Sequence, residues 1–207
     1  MRMDKPLIIP PYLPITPHSS PLFKIMFGKG GFLNPKQLLD GLRIIESGQA
    51  VADFGCGAGY FALPLAELVG NNGVVYAIDV LEKVLQIVDA RAKTAGLFNV
   101  KTVHANLEKE HGSSLANNSQ DVVFLANILF QSQAKEAIIN EATRITKPNG
   151  KIVIIDWLPG SYFNTDKGWR IDPEDLKKIL EKKRLKINKE FQPDDYHYGF
   201  ICQKTIL

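Results

Sequence analysis

The segment Val51-Ala52-Asp53-Phe54-Gly55-Cys56-Gly57-Ala58-Gly59-Tyr60 constrains this chain more than any other. A short β-type run ends in glycines at alternate positions. Residues 60 to 69 then read as a helix, with Phe61, Leu65 and Leu68 on one side. Alternate glycines permit positive φ and let a ligand approach bare backbone, while the next helix N-terminus offers unpaired N–H groups. The following strand candidate, Val74 to Asp79, is almost wholly apolar and closes on an acid 20 residues beyond Gly59. A carboxylate there can accept both hydroxyls of a ribose, so loop and acid together define a nucleoside site.

The rest of the chain repeats the alternation. Asn34 can cap a helix with Pro35 at its first position; Leu38, Leu39, Leu42 and Ile45 follow at helical spacing, and Gly48 stops it. A helix over 82–95 buries Val84, Leu85 and Val88, with Gly96 behind it as a C-cap. Strands are expected at Val100 to His104, Asp121 to Leu125 and Lys151 to Asp156, and a helix over 133–146 that Pro148-Asn149-Gly150 ends. Apolar strands separated by helices predict an α/β fold: a Rossmann-like, doubly wound, mostly parallel sheet covered on both faces. The C-terminus breaks the rhythm. After a helix at 173–183, Leu185 to Phe191 and Tyr198 to Ile206 have no helix between them, which predicts an antiparallel hairpin at one sheet edge.

Composition enters mainly as exclusion. No apolar stretch approaches the length of a membrane span, and the apolar run from Leu7 to Ile15 is broken by Pro10, Pro11 and Pro14, a poor signal-peptide core. A cytoplasmic protein is expected. Pro6, Pro10, Pro11, Pro14, Pro17 and Pro21 make residues 1–31 an irregular arm, which could be a tail, a strap or a lid, ahead of a domain at 32–207. Cys56 and Cys202, the only cysteines, supply neither a disulfide framework nor a zinc site, and no two histidines show metal-ligand spacing, so no metal is expected.

Which nucleoside binds decides the function. The dinucleotide fingerprint is G-x-G-x-x-G, whereas this loop is G-x-G-x-G with Asp53 at its entrance. A carboxylate there repels a pyrophosphate. It suits the ammonium of a methionine moiety beside a sulfonium, which favours S-adenosylmethionine over a nicotinamide dinucleotide.

Asp53-Phe54-Gly55-Cys56-Gly57-Ala58-Gly59, Asp79, and Pro148-Asn149-Gly150 before a strand resemble the class I S-adenosylmethionine-dependent methyltransferases, in particular the small-molecule branch related to ubiquinone and menaquinone biosynthesis. The resemblance covers roughly residues 32–207. It implies a seven-stranded sheet of order 3-2-1-4-5-7-6 with an antiparallel last strand, and S-adenosylhomocysteine as product. By position, the loop Gly55-Cys56-Gly57 with Gly59 would pack beneath the cofactor, and Asp53 would lie near its amino-acid end. Asp79 would hold the ribose, and Val80 and Leu81 would line the adenine. Where the family often has an Asp for the adenine amino group stands Asn106, followed by Leu107. Asn127, in the run Ala126 to Gln131, would meet the methionine portion and begin the acceptor wall.

No catalytic residue emerges from the sequence. His197, in Tyr196-His197-Tyr198, is either a base or a surface or edge-strand histidine. Cys56 reads as loop packing rather than as a nucleophile, and two cysteines argue against the arsenic-methylating relatives. Trp157, Tyr162, Phe163 and Trp169 either wall an apolar acceptor pocket or plug the space between sheet and terminal helix, and Phe23, Phe27 and Phe32 could close the site from the other side. Lys177, Lys178, Lys182, Lys183, Arg184, Lys186 and Lys189 read as a solvated face, with RNA or an acidic substrate as the alternative. The N-P-P-Y motif and the Pro-Cys nucleophile of nucleic-acid enzymes are absent. A small-molecule acceptor is therefore expected, the alternatives being an RNA or protein methyltransferase or a non-catalytic cofactor-binding module.

Overall fold

The computed structural model describes residues 33–160 and 168–205. The proline arm, His18, Phe23, Phe27, Phe32, Tyr162 and Phe163 lie outside them. The described strands are β1 (Ala50–Phe54), β2 (Val74–Asp79), β3 (Val100–His104), β4 (Gln120–Ala126), β5 (Thr146–Trp157), β6 (Leu185–Phe191) and β7 (His197–Lys204). The helices are α1 (Pro35–Leu42), α2 (Ala62–Val69), α3 (Glu82–Thr94), α4 (Lys135–Ile145) and α5 (Pro173–Lys182), with a short 3-10 turn at Leu129–Gln131.

The strands form one sheet of order β3-β2-β1-β4-β5-β7-β6, the expected order. The first five run parallel, and β7 pairs antiparallel with both β5 and β6. Strand residues alternate between two cores, as a period of two requires. Val51, Val75, Val122, Phe124, Val153 and Ile155 pack with Leu39, Leu65 and Val88 of α1, α2 and α3. Ala52, Phe54, Ile78, Val123, Leu125, Ile152 and Ile154 pack with Ile138 and Ile139 of α4 and Leu176 and Leu180 of α5. Both faces are covered, which is why the strands read as apolar runs rather than as clean alternation.

Local differences have local causes. Asn34 caps α1, its Oδ1 accepting from the Gln37 N–H at 3.1 Å, but the helix ends at Leu42, where Arg43 takes a left-handed conformation (φ 52°); Ile45 and Gly48 lie beyond it. Helix α4 ends at Ile145 because Thr146 is already extended and pairs with Gln120. Pro148-Asn149-Gly150 is therefore an irregularity inside β5, where the register against β4 shifts, rather than the helix terminator. Trp157 is the last residue of β5, not a loop residue.

Candidate functional site

The carboxyl ends of β1, β2 and β4 meet where the chain leaves β1 toward one side of the sheet and β4 toward the other, the crevice in which open α/β sheets hold ligands. Each loop glycine answers a different demand. A Cβ on Gly55 would sit 2.8 Å from Ile128 Cδ1, so this glycine lets the segment after β4 approach the loop. Gly59 faces Val88 of α3 and Leu63 of α2, so a side chain there would wedge the two helices apart. Gly57, at φ +50°, faces open space: a Cβ would meet nothing within 4 Å. Only Gly57 presents bare backbone outward. Cys56 is buried in the core with its thiol pushed up by burial first and then by Asp53, an inert packing group.

Asp79 closes the loop against β2. Its Oδ2 accepts from the Gly57 N–H at 3.0 Å and its Oδ1 from the Leu81 N–H at 2.9 Å. Each oxygen keeps a further lone pair. Val80 and Leu81 are exposed apolar side chains immediately beyond it. Asn106, beyond β3, is half-buried, with its Oδ1 accepting from the Glu108 N–H at 2.9 Å, and Leu107 is buried in the core. Asp79 thus ends β2, Val80 and Leu81 follow it directly, and Asn106 stands past the end of its neighbour β3.

Asp53 differs from the sequence expectation. It is buried at the end of β1, one backbone bond from Ala62 at the start of α2 holds it, and its Oδ2 has no partner. Burial, with a smaller push from Asp79, raises its pKa from 3.8 to about 8. The expected standing anion is therefore a protonated acid at neutral pH until a cation meets it, because the interior solvates a lone charge poorly. Asn127, just past β4, is held left-handed (φ 55°), a conformation uncommon for a non-glycine. Its N–H donates to Ile155 at 2.8 Å, its carbonyl accepts from Gln131, and its Oδ1 is buried without a partner. Orphaned oxygens on β1 and just past β4, at the end of the sheet from which the glycine loop leaves, are acceptors of the kind that an ammonium-bearing nucleoside needs.

Two features escaped the sequence reading. Asp156, buried near the end of β5, accepts from the Phe130 N–H at 3.0 Å and the Trp157 N–H at 2.7 Å, fastening the 3-10 turn to β5. Its pKa is pushed up to about 6, by burial first. An acid closing an apolar strand, the signal that marked Asp79, was present at Asp156 as well. His197 is not a surface or edge residue: it opens β7, an interior strand, and is fully buried opposite Trp157. His104 and His111 are exposed, on β3 and in a loop. Four of the seven basic residues of the C-terminal run are paired: Lys177 with Glu174 and Glu190, Lys178 with Asp175, and Lys182 and Lys183 with Glu136. Among the described residues no three potential metal ligands converge, and no helix is long and apolar enough to cross a membrane.

Comparison with known proteins bears on the family and the fold. A family model described as a methyltransferase domain matches residues 45–195. The demethylmenaquinone methyltransferase of Geobacillus kaustophilus is 32% identical over 112 residues, 54% of this chain and 47% of its own length. The arsenite methyltransferase of Aquipseudomonas alcaligenes is 31% identical over 123 residues, 58% of this chain and 34% of its own. The chain thus spans less than half the length of these relatives. The crystal structure of a SAM-dependent methyltransferase from Aquifex aeolicus superposes with a TM-score of 0.73 at 25% identity, covering 90% of this chain and 94% of the other.

Proposed function

Since the chain belongs to the methyltransferase-domain family, among the class I S-adenosylmethionine-dependent enzymes, we propose that it transfers the methyl group of S-adenosylmethionine to a small-molecule acceptor. The observation that carries this reading is the pair of unpartnered buried oxygens, Asp53 Oδ2 on β1 and Asn127 Oδ1 just past β4, at the end of the sheet where the loop after β1 presents the open backbone of Gly57. Asp79 would take the ribose hydroxyls with the lone pairs left over from Gly57 and Leu81, and Val80 and Leu81 would cover the adenine. Asn106 would meet the adenine amino group. Asp53 would face the ammonium, giving up its proton as the cation arrives.

The cofactor supplies an electrophilic methyl on a sulfonium. Transfer then needs alignment and exclusion of water more than acid–base chemistry. This chain's part is to hold the donor against the β1–β4 crevice, with the 3-10 turn that Asp156 pins beside it.

A small acceptor is favoured over RNA because four of the seven basic side chains that suggested a polyanion site, Lys177, Lys178, Lys182 and Lys183, pair with neighbouring carboxylates. Arsenite is disfavoured as acceptor: both cysteines are buried, and their thiols are held protonated by burial. Calorimetric titration with S-adenosylmethionine tests the core of the proposal. Binding is expected, weakened about tenfold or more in Asp79→Ala, which loses contacts to ribose and loop together. Wild-type affinity in that variant, or no binding to the wild type, would refute it.

A further inference from the structure

The 3-10 turn at Leu129–Gln131 is tied down from two sides. On one side Asp156 of β5 accepts from the Phe130 N–H at 3.0 Å. The other tie comes from the segment after β3: Glu108 Oε1 accepts from the hydroxyl of Ser132, the residue that follows the turn, at 2.5 Å. In the sheet, β3 and β4 stand three strand spacings apart, about 14 Å, with β2 and β1 between them. The Glu108–Ser132 bond therefore joins residues that leave opposite sides of the crevice.

Both ends of this bond are held in turn. Ser132 is buried and its hydroxyl is fully used: it accepts from the Ala134 N–H at 2.8 Å, at the start of α4, and gives its only proton to Glu108. Glu108 is set by Asn106, whose Oδ1 accepts from the Glu108 N–H at 2.9 Å and whose carbonyl accepts from the Lys109 N–H at 3.2 Å. A Cβ on Gly112 would collide with that same carbonyl, so residues 106–112 close on themselves as a tight turn. A continuous chain of bonds thus runs from the Asn106 carboxamide through Glu108 and Ser132 to Ala134.

We propose that Glu108 is a positioning residue for methyl transfer, one that holds the turn beginning the acceptor wall in register with the group that would meet the adenine. This rests on the methyltransferase reading and deepens it. An adenine amino group donating to Asn106 Oδ1 fixes the side chain that already holds the Glu108 N–H. Glu108 then loses freedom, and Ser132 and Ala134 lose it with Glu108. Cofactor binding in this way stiffens the acceptor wall before any acceptor arrives, by ordering rather than by displacement. Methyl transfer depends on alignment, so a wall tied to the donor's own site serves it better than one tied to β5 alone. Glu108 touches neither donor nor acceptor and moves no proton.

The test follows the Ala134 amide, which lies beyond the run that would meet the methionine portion and whose acceptor is the Ser132 hydroxyl. Its hydrogen exchange is read by NMR in the ¹⁵N-labelled full chain, with and without saturating S-adenosylhomocysteine. Binding should slow that exchange about threefold or more in the wild type. Glu108→Gln, whose side-chain oxygen can still accept from Ser132, should keep the slowing. Glu108→Ala should lose it while the Leu81 amide, held by Asp79, still responds. A purely structural bond would change Ala134 exchange equally with and without ligand. Should Glu108→Ala fail to fold, Glu108→Asp, one methylene short of Ser132, takes its place with the same expectation. Slowing that survives in the shortened variant overturns the proposal, as does a wild-type Ala134 amide that ignores the ligand. Calorimetry on the same sample separates the two readings: no binding of S-adenosylhomocysteine sinks the methyltransferase assignment, whereas binding with an unresponsive Ala134 sinks only the role of Glu108.

Discussion

Asp53 shows how much of a residue's chemistry is decided by its surroundings. Its carboxyl sits in the α1–α3 side of the core with one bond from Ala62 and an oxygen facing no donor. A folded-state pKa near 8 against an unfolded value of 3.8 means that the fold prefers the protonated form. The stability this contributes is full below the unfolded value and is lost as pH rises toward 8. Asp156, raised to about 6, acts in the same direction over the lower part of that window. Melting temperature should therefore fall from pH 4 to 8, and Asp53→Asn should flatten the portion between 6 and 8, by scanning calorimetry. An unchanged slope in that variant would mean the acid is already ionised in the fold. The same burial predicts that cofactor binding at pH 7 releases about one proton, read as a dependence of calorimetric heat on buffer ionisation enthalpy and absent in Asp53→Asn.

Elements hold their positions through a few buried polar ties. Residues 105–119, between β3 and β4, contain neither helix nor strand, yet they are fixed against α4 by Glu141. Its Oε1 accepts from the Ser113 N–H at 2.9 Å and from the Ser113 hydroxyl, and both oxygens take the Arg144 guanidinium, at 2.6 and 2.8 Å. Arg144 in turn donates to the Leu115 carbonyl at 2.8 Å. Removing the acid strands a partly buried cation and the two donors of buried Ser113. Glu141→Ala should destabilise the protein by about 3 kcal/mol in urea unfolding, whereas Lys178→Ala, which breaks an exposed pair, should change it by less than about 0.5 kcal/mol. Similar losses in the two variants would show that the network is not a tie. Helix boundaries were less legible than these elements' existence. α1 stops at Leu42 and α4 at Ile145 because of strand pairing and a left-handed Arg43, neither of which leaves a glycine or proline at the stopping point.

At the scale of the molecule, a net charge of +3 is spread through ion pairs rather than gathered into a field. A short single-stranded RNA should give no retained complex at about 0.15 M salt in a gel-shift assay, and tight binding that falls steeply with salt would reverse the preference for a small acceptor. The proposed cofactor site would instead rely on directional groups of β1, β2 and β4.

Order and type of elements, the parallel sheet and the glycine loop with Asp79 were determined by the sequence itself, because apolar periodicity and turn chemistry act over neighbouring residues. Only the tertiary structure decided that Gly55 serves Ile128 while Gly57 faces open space, that Asp53 keeps its proton, and that His197 is a sealed, one-tautomer group at the start of β7. Those properties depend on dielectric and on partners brought from distant parts of the chain, Trp157 for His197 and Ile128 for Gly55, which no local pattern encodes.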